Sequence, residues 1–328
     1  MSDTRPTCAI ISPALANANN GNANTASRWQ GFLAADADAS LALSWDGAPV
    51  DIMLALHAAR SADSISRFAS AYPDRPLIVV LTGTDLYRDA KTKPAVLHSM
   101  EVATHLVVLQ DQALLELAPH LRNKARVIIQ SAPRLARIKP NKTTFDFVTV
   151  GHLRDEKDPL TLMRAAQLIP AASPIRVLHI GAALDEALGE AARQTVAHCA
   201  HYRWLGGLPR SQTRRWIARS QALIHPSVME GGAHVIIEAV QSQVPVLASH
   251  ISGNIGMLGE DYAGYFPLGD ADALAKLMLR FASDQTFAAH LRAQCAARAA
   301  LFEPRHEQQL VRQLLNDAKS IKQTFQQK

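Results

Sequence analysis

Cysteine is scarce in this chain: three residues in 328, Cys8, Cys199 and Cys295, far apart, odd in number and without a C-x-x-C partner. That argues against a disulfide scaffold and suits small buried thiols in a reducing cytoplasm. Aromatic residues are only 5% and are not interleaved with the basic ones, so the signature of a nucleic-acid binder is missing. Basic residues exceed acidic ones by 34 to 29, a net charge of +5 that a small anionic ligand suffices to explain. No apolar run approaches the roughly 20 residues that cross a bilayer, so no stable membrane insertion is expected. The leading MSDTRPTCAIISPALANA ends in an A-x-A-like triplet, yet its apolar part is short and broken by Pro13, and Asp3 offsets Arg5. A first strand and a loop fit it better than a signal peptide, which places the protein in the cytoplasm. What the chain has in quantity is buried-type sequence, 48% hydrophobic against 19% charged, over a length that suits two domains.

Short β-branched or apolar runs alternate with longer alanine-rich segments. One series is CAIIS (8–12), VDIMLALH (50–57), PLIVVLTG (76–83), THLVVLQ (104–110) and ARVIIQ (125–130); a second is FDFVTVG (145–151), IRVLHIG (175–181), HYRWLGG (201–207), QALIHPS (221–227) and VPVLAS (244–249). Such runs, spaced by helix-length segments, predict parallel sheets buried on both faces, and two series predict two doubly wound Rossmann-like α/β domains. The basic, proline-containing SAPRLARIKPNKTT (131–144) reads as the linker, which divides the chain into 1–138 and 139–304. Residues 305–328, with apolar positions at Leu310, Leu314, Leu315 and Ile321, read as a closing helix that packs back across the domain seam. Ligands of such sheets sit beyond the carboxyl ends of the strands, so the residues just after each run, and the cleft between facing domains, are where a site is sought.

Two motifs lie there. EGGAHVIIE (230–238) falls between two strands that must be parallel neighbours, so a crossover helix is required although Val235, Ile236 and Ile237 favour a strand. The helix is expected to begin near Ala233. Gly231 and Gly232 would then bring backbone close to a ligand at the positive end of its dipole, and His234 and Glu238 would share a face. Glu230 and Glu238 at either end suit a long polyhydroxylated ligand with a negative middle. VGHLRDEKDPLTLM (150–163) carries Arg154 and Lys157 on a strand-to-helix loop, with Asp158-Pro159 as N-cap and first helical residue. Two cations beside a helix-terminus anion site would make a diphosphate cradle.

Together these stretches resemble the family-4 glycosyltransferases of GT-B architecture, from the 150–169 loop through EGGAHVIIEAVQSQVPVLAS to GYFPLGDADALAKLM (264–278). The resemblance implies that Glu238 holds the nucleotide ribose, that Glu230 holds the donor sugar, and that Lys157 neutralises the diphosphate. The backbone from Gly232 to Val235 would meet sugar hydroxyls and phosphate. Two departures stand out: arginine is usual where His152 stands, so the second cation is Arg154, a protonated His152, or neither; and glycine is usual where Gln243 stands, at a left-handed helix end.

In the first domain, NANNGNANTASRWQGFL (17–33), VDIMLALHAARSADSI (50–65) and PLIVVLTGTDLYRD (76–89) look like a small branch of that family, the selenosugar synthases (SenB) of bacterial selenoneine biosynthesis. The branch implies attack by selenophosphate on the anomeric carbon of a UDP-sugar, UDP-N-acetylglucosamine first among them, with release of UDP and phosphate. Acceptor residues are then sought at strand ends: Asn20, Gly21 and Asn22; His57 and Arg60; Thr82, Gly83, Thr84, Asp85 and Arg88. Asp85 fits either orienting a donor hydroxyl or assisting phosphate loss. His57 fits a structural role nearly as well as an acceptor role, and Arg60 and Arg88 fit plain surface charge. No metal or other cofactor is expected. Asp36-Ala37-Asp38 and Asp270-Ala271-Asp272 only imitate the Asp-x-Asp of metal-dependent sugar transfer, and His198, Cys199 and His201 lack a fourth ligand. An ordinary O-glycosyltransferase is the alternative, and a non-catalytic nucleotide-sugar sensor a distant third.

Overall fold

The computed structural model describes residues 5–15 and 21–326. Twelve strands among them form two parallel six-stranded sheets: β1 (Thr7–Ile11), β2 (Asp38–Ala42), β3 (Ile52–Leu56), β4 (Leu77–Leu81), β5 (His105–Val108) and β6 (Ala125–Val127), then β7 (Phe145–Val150), β8 (Ile175–Ile180), β9 (Tyr202–Trp204), β10 (Ala222–His225), β11 (Val246–Ser249) and β12 (Tyr265–Phe266). All ten expected runs contain a strand. The two that were not expected are edge strands: β2 is half exposed and polar (DASLA), and β12 has two residues, so neither presents the continuous apolar run that marks a buried strand.

The first sheet runs β2-β1-β3-β4-β5-β6, the second β12-β11-β10-β7-β8-β9. Strand order therefore reverses between β1 and β3 in one and between β7 and β10 in the other. At such a switch point the crossovers leave in opposite directions and open a crevice beyond the carboxyl ends. In the first unit alternate residues of each strand serve opposite layers. Met53, Ala55, Val79, Leu81, Leu106 and Val108 pack with Phe68, Val96 and Met100. Ile52, Leu54, Leu56, Ile78, Val80 and Val107 pack with Trp29, Val311, Leu314 and Leu315. The period of two that made these runs apolar throughout is thus spent on two layers of helices.

Contacts divide the chain into one unit of residues 1–131, 230–232 and 304–328 and another of 132–229 and 233–303. The division comes earlier than residue 138 because the intervening residues already bond into the second unit: the Ile138 amide and an Arg137 guanidinium nitrogen both donate to the Ala218 carbonyl. The closing helix, Pro304–Gln326, belongs to the first unit and packs on the helix Gly21–Leu33. One carboxylate secures it. Glu307 is fully buried and accepts from Arg28 Nε (2.8 Å) and Nη2 (2.9 Å), Trp29 Nε1 (2.6 Å), the Ser131 amide (2.8 Å) and Ser131 Oγ. The Arg-Trp pair of the first-domain motif, and the residue at which the chain leaves this unit, are tied to one point.

The crossover helix of EGGAHVIIE is present as His234–Gln241 with Ala233 at its N-cap, so topology overrides the strand preference of the β-branched triplet. Its end is a Schellman turn. The Val244 amide reaches the Ala239 carbonyl, the Gln243 amide reaches that of Val240, and Gln243 sits at φ 58°. Replacing this exposed residue should relieve the Cβ penalty: Gln243→Gly is expected to raise unfolding stability by about 1 kcal/mol in urea titration. Glu307→Ala should lose about 3–5 kcal/mol, since it strands Arg28 and Trp29 without their acceptor.

Candidate active site

The second unit's switch point collects the 150–163 loop and the part of the second motif from Ala233 to Glu238. After β7 the chain turns at Gly151, whose carbonyl is held from below by His179. That ring is fully buried, donates from Nε2 to Gly151 O (3.1 Å) and accepts at Nδ1 from the Tyr202 hydroxyl (2.8 Å). Burial pushes its pKa down from 6.5 to about 4, which keeps the ring neutral at pH 7. A Cβ at Gly181 would strike the same Gly151 oxygen, and one at Gly151 would meet the Lys157 stem at 3.3 Å. Two glycines thus let the loop lie flat, with Lys157 folded along it at the end of a short 3₁₀ turn, Asp155–Lys157. Asp158, left-handed at φ 45°, caps the helix Pro159–Gln167 through Oδ1 to the Thr161 amide (3.2 Å), as the Asp-Pro pair predicts.

Arg154 is extended and 39% exposed at the side chain, with Nε 3.8 Å from Glu156. His152 is not a second cation. Its Nδ1 accepts from the Ala182 amide (3.1 Å), and burial, then the charges of Arg154 and Lys157, lower its pKa below 6.5. With Nδ1 accepting, the neutral ring carries its proton on Nε2, which speaks against the option of a protonated His152.

The loop after β10 is bonded to this one. The Val228 amide donates to the Glu156 carbonyl at 2.9 Å, joining segments 72 positions apart, immediately before Glu230. Beyond it the helix begins, bringing Ala233 (buried) and His234 and Val235 (half buried) to its N-terminal turn, with Glu238 one turn further in. Glu238 is 4% exposed. Burial by itself would raise its pKa, but the His234 hydrogen bond and the charges of His234, Arg210 and Arg214 outweigh it and hold the carboxyl below its usual range. Arg210 and Arg214 were not among the expected site residues. They open the helix Arg210–Arg219 just after β9, and the signal that points to them is their place past a strand's carboxyl end, behind Gly206-Gly207.

In the first unit the loops after β3 and β4 are welded by Asp85, which is fully buried. Its Oδ1 accepts from the Thr82 (2.9 Å) and Gly83 (2.8 Å) amides and its Oδ2 from Ala58 (2.9 Å). A carboxylate so committed shapes the turn that joins the two loops. Around it, His57 stands in the left-handed region (φ 69°) with Nε2 3.2 Å from Thr84 Oγ1 and Nδ1 3.8 Å from Asp85. Burial lowers its pKa against the opposing pull of Asp85, so the ring is neutral at pH 7. Non-glycine residues rarely adopt such a backbone, histidine more often than most. Thr82 and Thr84 are half buried beside it, Gly83 is buried at φ 144°, and Arg60 and Arg88 are exposed, the latter 3.0 Å from Asp89. Gly21 and Asn22 open the Gly21–Leu33 helix after β1, while Asn20 lies outside the described residues. The half-buried Glu230, with Gly231 and Gly232, is assigned to this unit by contacts. A Cβ at Gly231 would strike the Thr82 carbonyl and one at Gly232 would press on Leu109, so these glycines admit neighbouring protein.

The expected decoys have ordinary partners. Asp36 pairs with Arg312 (2.7 Å) and Asp38 with Arg5 (3.0 Å), and Asp270 caps its helix through the Ala273 amide (2.8 Å) with Asp272 in the first turn. His198 Nδ1 bonds the Gln194 carbonyl and His201 Nδ1 that of Ile175, while Cys199 is buried. Among the described residues no three metal-binding side chains cluster and no helix is long and apolar enough to cross a membrane.

A lowered histidine pKa means that the unfolded chain binds a proton near pH 6.5 while the folded chain does not. The stability linked to His179 is therefore complete above pH 6.5 and drains away as pH falls towards about 4, roughly 3 kcal/mol in all. Imidazole NMR should show His179 titrating near 4 and His152 below 6.5. A normal midpoint for either would overturn the neutral tautomers described above.

Against known proteins, the model of the glycosyl transferases group 1 family matches residues 134–301, more than half of the chain. A curated relative, glycosyltransferase 1 domain-containing protein 1 of Xenopus tropicalis, is 26% identical over 58% of this chain and 61% of its own length, so the chain spans less than two thirds of that relative. Among solved structures, HepE of Anabaena in complex with UDP-glucose superposes with a TM-score of 0.77 over 95% of this chain and 100% of its own, at 14% identity. Sucrose-phosphate synthase of Thermosynechococcus elongatus also gives 0.77, over 96% and 100%, at 16%. TarM of S. aureus gives 0.64 over 81% and 54%, at 14%. Those superpositions make the fold GT-B, and with the family match they identify the chain as a member of the glycosyl transferases of group 1.

Proposed function

We propose that the protein transfers the glycosyl group of a UDP-sugar, and that its acceptor is selenophosphate. The selenium lone pair attacks the anomeric carbon, the bond from that carbon to the diphosphate oxygen breaks, and UDP leaves with the electron pair. Water then cleaves the Se–P bond, leaving phosphate and a 1-selenosugar. The observation that carries the donor half is the Glu156–Val228 hydrogen bond, which ties the Arg154–Lys157 loop to the segment that follows β10. Arg154, Lys157 and the neutral His152 donor suit a leaving diphosphate, and the helix start at Ala233–Val235 adds amide dipoles of the same sign. HepE holds UDP-glucose, and TarM has been seen with UDP and α-GlcNAc-glycerol, which supports a UDP-sugar donor here.

The acceptor half rests on the first unit's carboxyl edge and on the branch resemblance. Gly21 and Asn22 at a helix start, with Arg60 and Arg88 exposed nearby in sequence to His57 and Thr84, suit an anion. A selenium anion needs no base, in keeping with an Asp85 whose oxygens are taken by amides. Transfer to a hydroxyl acceptor is the competing reading, and the α-GlcNAc-glycerol of the TarM complex speaks for it. We place the enzyme in the cytoplasm, acting without a metal ion.

Mass spectrometry of UDP-N-acetylglucosamine and UDP-glucose, each mixed with selenophosphate, should show a selenosugar and UDP in the presence of excess chelator. UDP formed only with hydroxyl acceptors would transfer the assignment to the competing reading, and loss of turnover on chelation would remove the metal-free one. Lys157→Ala and Glu230→Ala should each lower the rate well over tenfold, in line with about 2.7–4 kcal/mol for one charge-stabilising contact.

A further inference from the structure

Both hydrogen bonds from Arg210 to the Glu238 carboxylate fall on one oxygen, and so do the nearest approaches of Arg214 and His234. Oε1 lies 3.2 Å from Arg210 Nε, 3.1 Å from Arg210 Nη2, 3.7 Å from Arg214 Nε and 3.5 Å from His234 Nδ1. The two arginines stand one helical turn apart and approach from the neighbouring helix, whereas His234 approaches from one turn before Glu238 on its own. Arg214 is anchored separately, donating from Nη2 to the Pro133 carbonyl, and its buried Nε has no hydrogen-bond partner. Arg210 is the more exposed, 38% at the side chain, yet it is the one that grips Oε1 along its Nε–Nη2 edge. Neutralising a buried carboxylate takes one cation. Gathering two arginines and an imidazole nitrogen on a single oxygen does something else: it fixes the rotation of the carboxylate and leaves Oε2 as its accepting atom.

We propose that Arg210 is a positioning residue, which by holding Oε1 aims Oε2 of Glu238 at a hydroxyl of the donor nucleotide and so sets how strongly the enzyme distinguishes a ribose from a sugar lacking its hydroxyls. This rests on the reading above in which Glu238 binds the nucleotide ribose. Lysine keeps the charge but offers a single nitrogen on a flexible stem, so it cannot reproduce a two-atom grip along a rigid plane. The substitution Arg210→Lys therefore separates orientation from charge, and Arg210→Gln removes both.

The test is calorimetric binding of UDP and of 2′,3′-dideoxy-UDP to wild type, Glu238→Ala, Arg210→Gln and Arg210→Lys, with thermal unfolding of each variant and steady-state kinetics alongside. Wild type should prefer UDP by about tenfold or more, the worth of hydrogen bonding to a charged acceptor. Glu238→Ala should abolish that preference. Arg210→Gln and Arg210→Lys should both reduce it severalfold, with KM for the UDP-sugar raised and kcat within about twofold, while binding of the dideoxy nucleotide stays near wild type. A purely structural role for Arg210 would weaken both nucleotides alike and lower the unfolding temperature. That result, or a full UDP preference in both Arg210 variants, overturns the proposal while leaving Glu238's role intact. Absence of any preference in wild type, or its survival in Glu238→Ala, overturns the reading of Glu238 and the proposal with it.

Discussion

A parallel sheet buried on both faces leaves one place for chemistry, the row of loops beyond the carboxyl ends of its strands. Both sheets here are of that kind, and the direction of their strands is the constraint that everything else obeys. It forces a crossover between β10 and β11, and the crossover makes a helix of a β-branched triplet and brings Glu238 one turn into it. It also puts the reversal of strand order between β7 and β10, so that the Lys157 loop and the loop before Glu230 emerge side by side. The hydrogen bond from Val228 to Glu156 closes the small remaining distance.

Within that frame the site is prepared by neutral groups as much as by charged ones. His179, kept uncharged by burial, supports the Gly151 carbonyl from Nε2, and His152 meets the Ala182 amide only with a free lone pair on Nδ1. A histidine at position 152 therefore offers a donor that adds no charge, leaving Arg154 and Lys157 as the cations of the loop. Asp85 shows the complementary economy. Its charge goes to three backbone amides of two loops, and the strained His57 backbone stands beside the turn they form.

The buried acids of the two units solve the same problem differently. Glu307 is met by donors on both oxygens, and with none left over it is a knot that holds the closing helix, the Arg28-Trp29 pair and Ser131 together. Glu238 takes both Arg210 hydrogen bonds on one oxygen, which suits a group that has a ligand to receive. Burial of a carboxylate costs several kcal/mol unless it is matched by partners, and the two acids differ in how those partners are spread over their oxygens.

Much of this was legible in the linear chain. Alternating and continuous apolar runs specified ten of the strands, because burial on two faces is a local property of composition. The N-cap at Asp158 and the capping role of Asp270 follow from backbone rules that act over a few residues, while the left-handed Gln243 was suggested by the family resemblance and the helix start beside Ala233 by the need for a crossover. Tertiary structure alone decided which polar ends meet. Arg210 and Arg214 converge on Glu238 from 28 and 24 positions away, Glu307 gathers donors 176 to 279 positions away, and Asp85 is consumed by amides of its own edge. Periodicity records which side of a strand or helix is buried. The pairing of charges and hydrogen bonds between loops depends on how separate crossovers come to rest, and no local pattern encodes that.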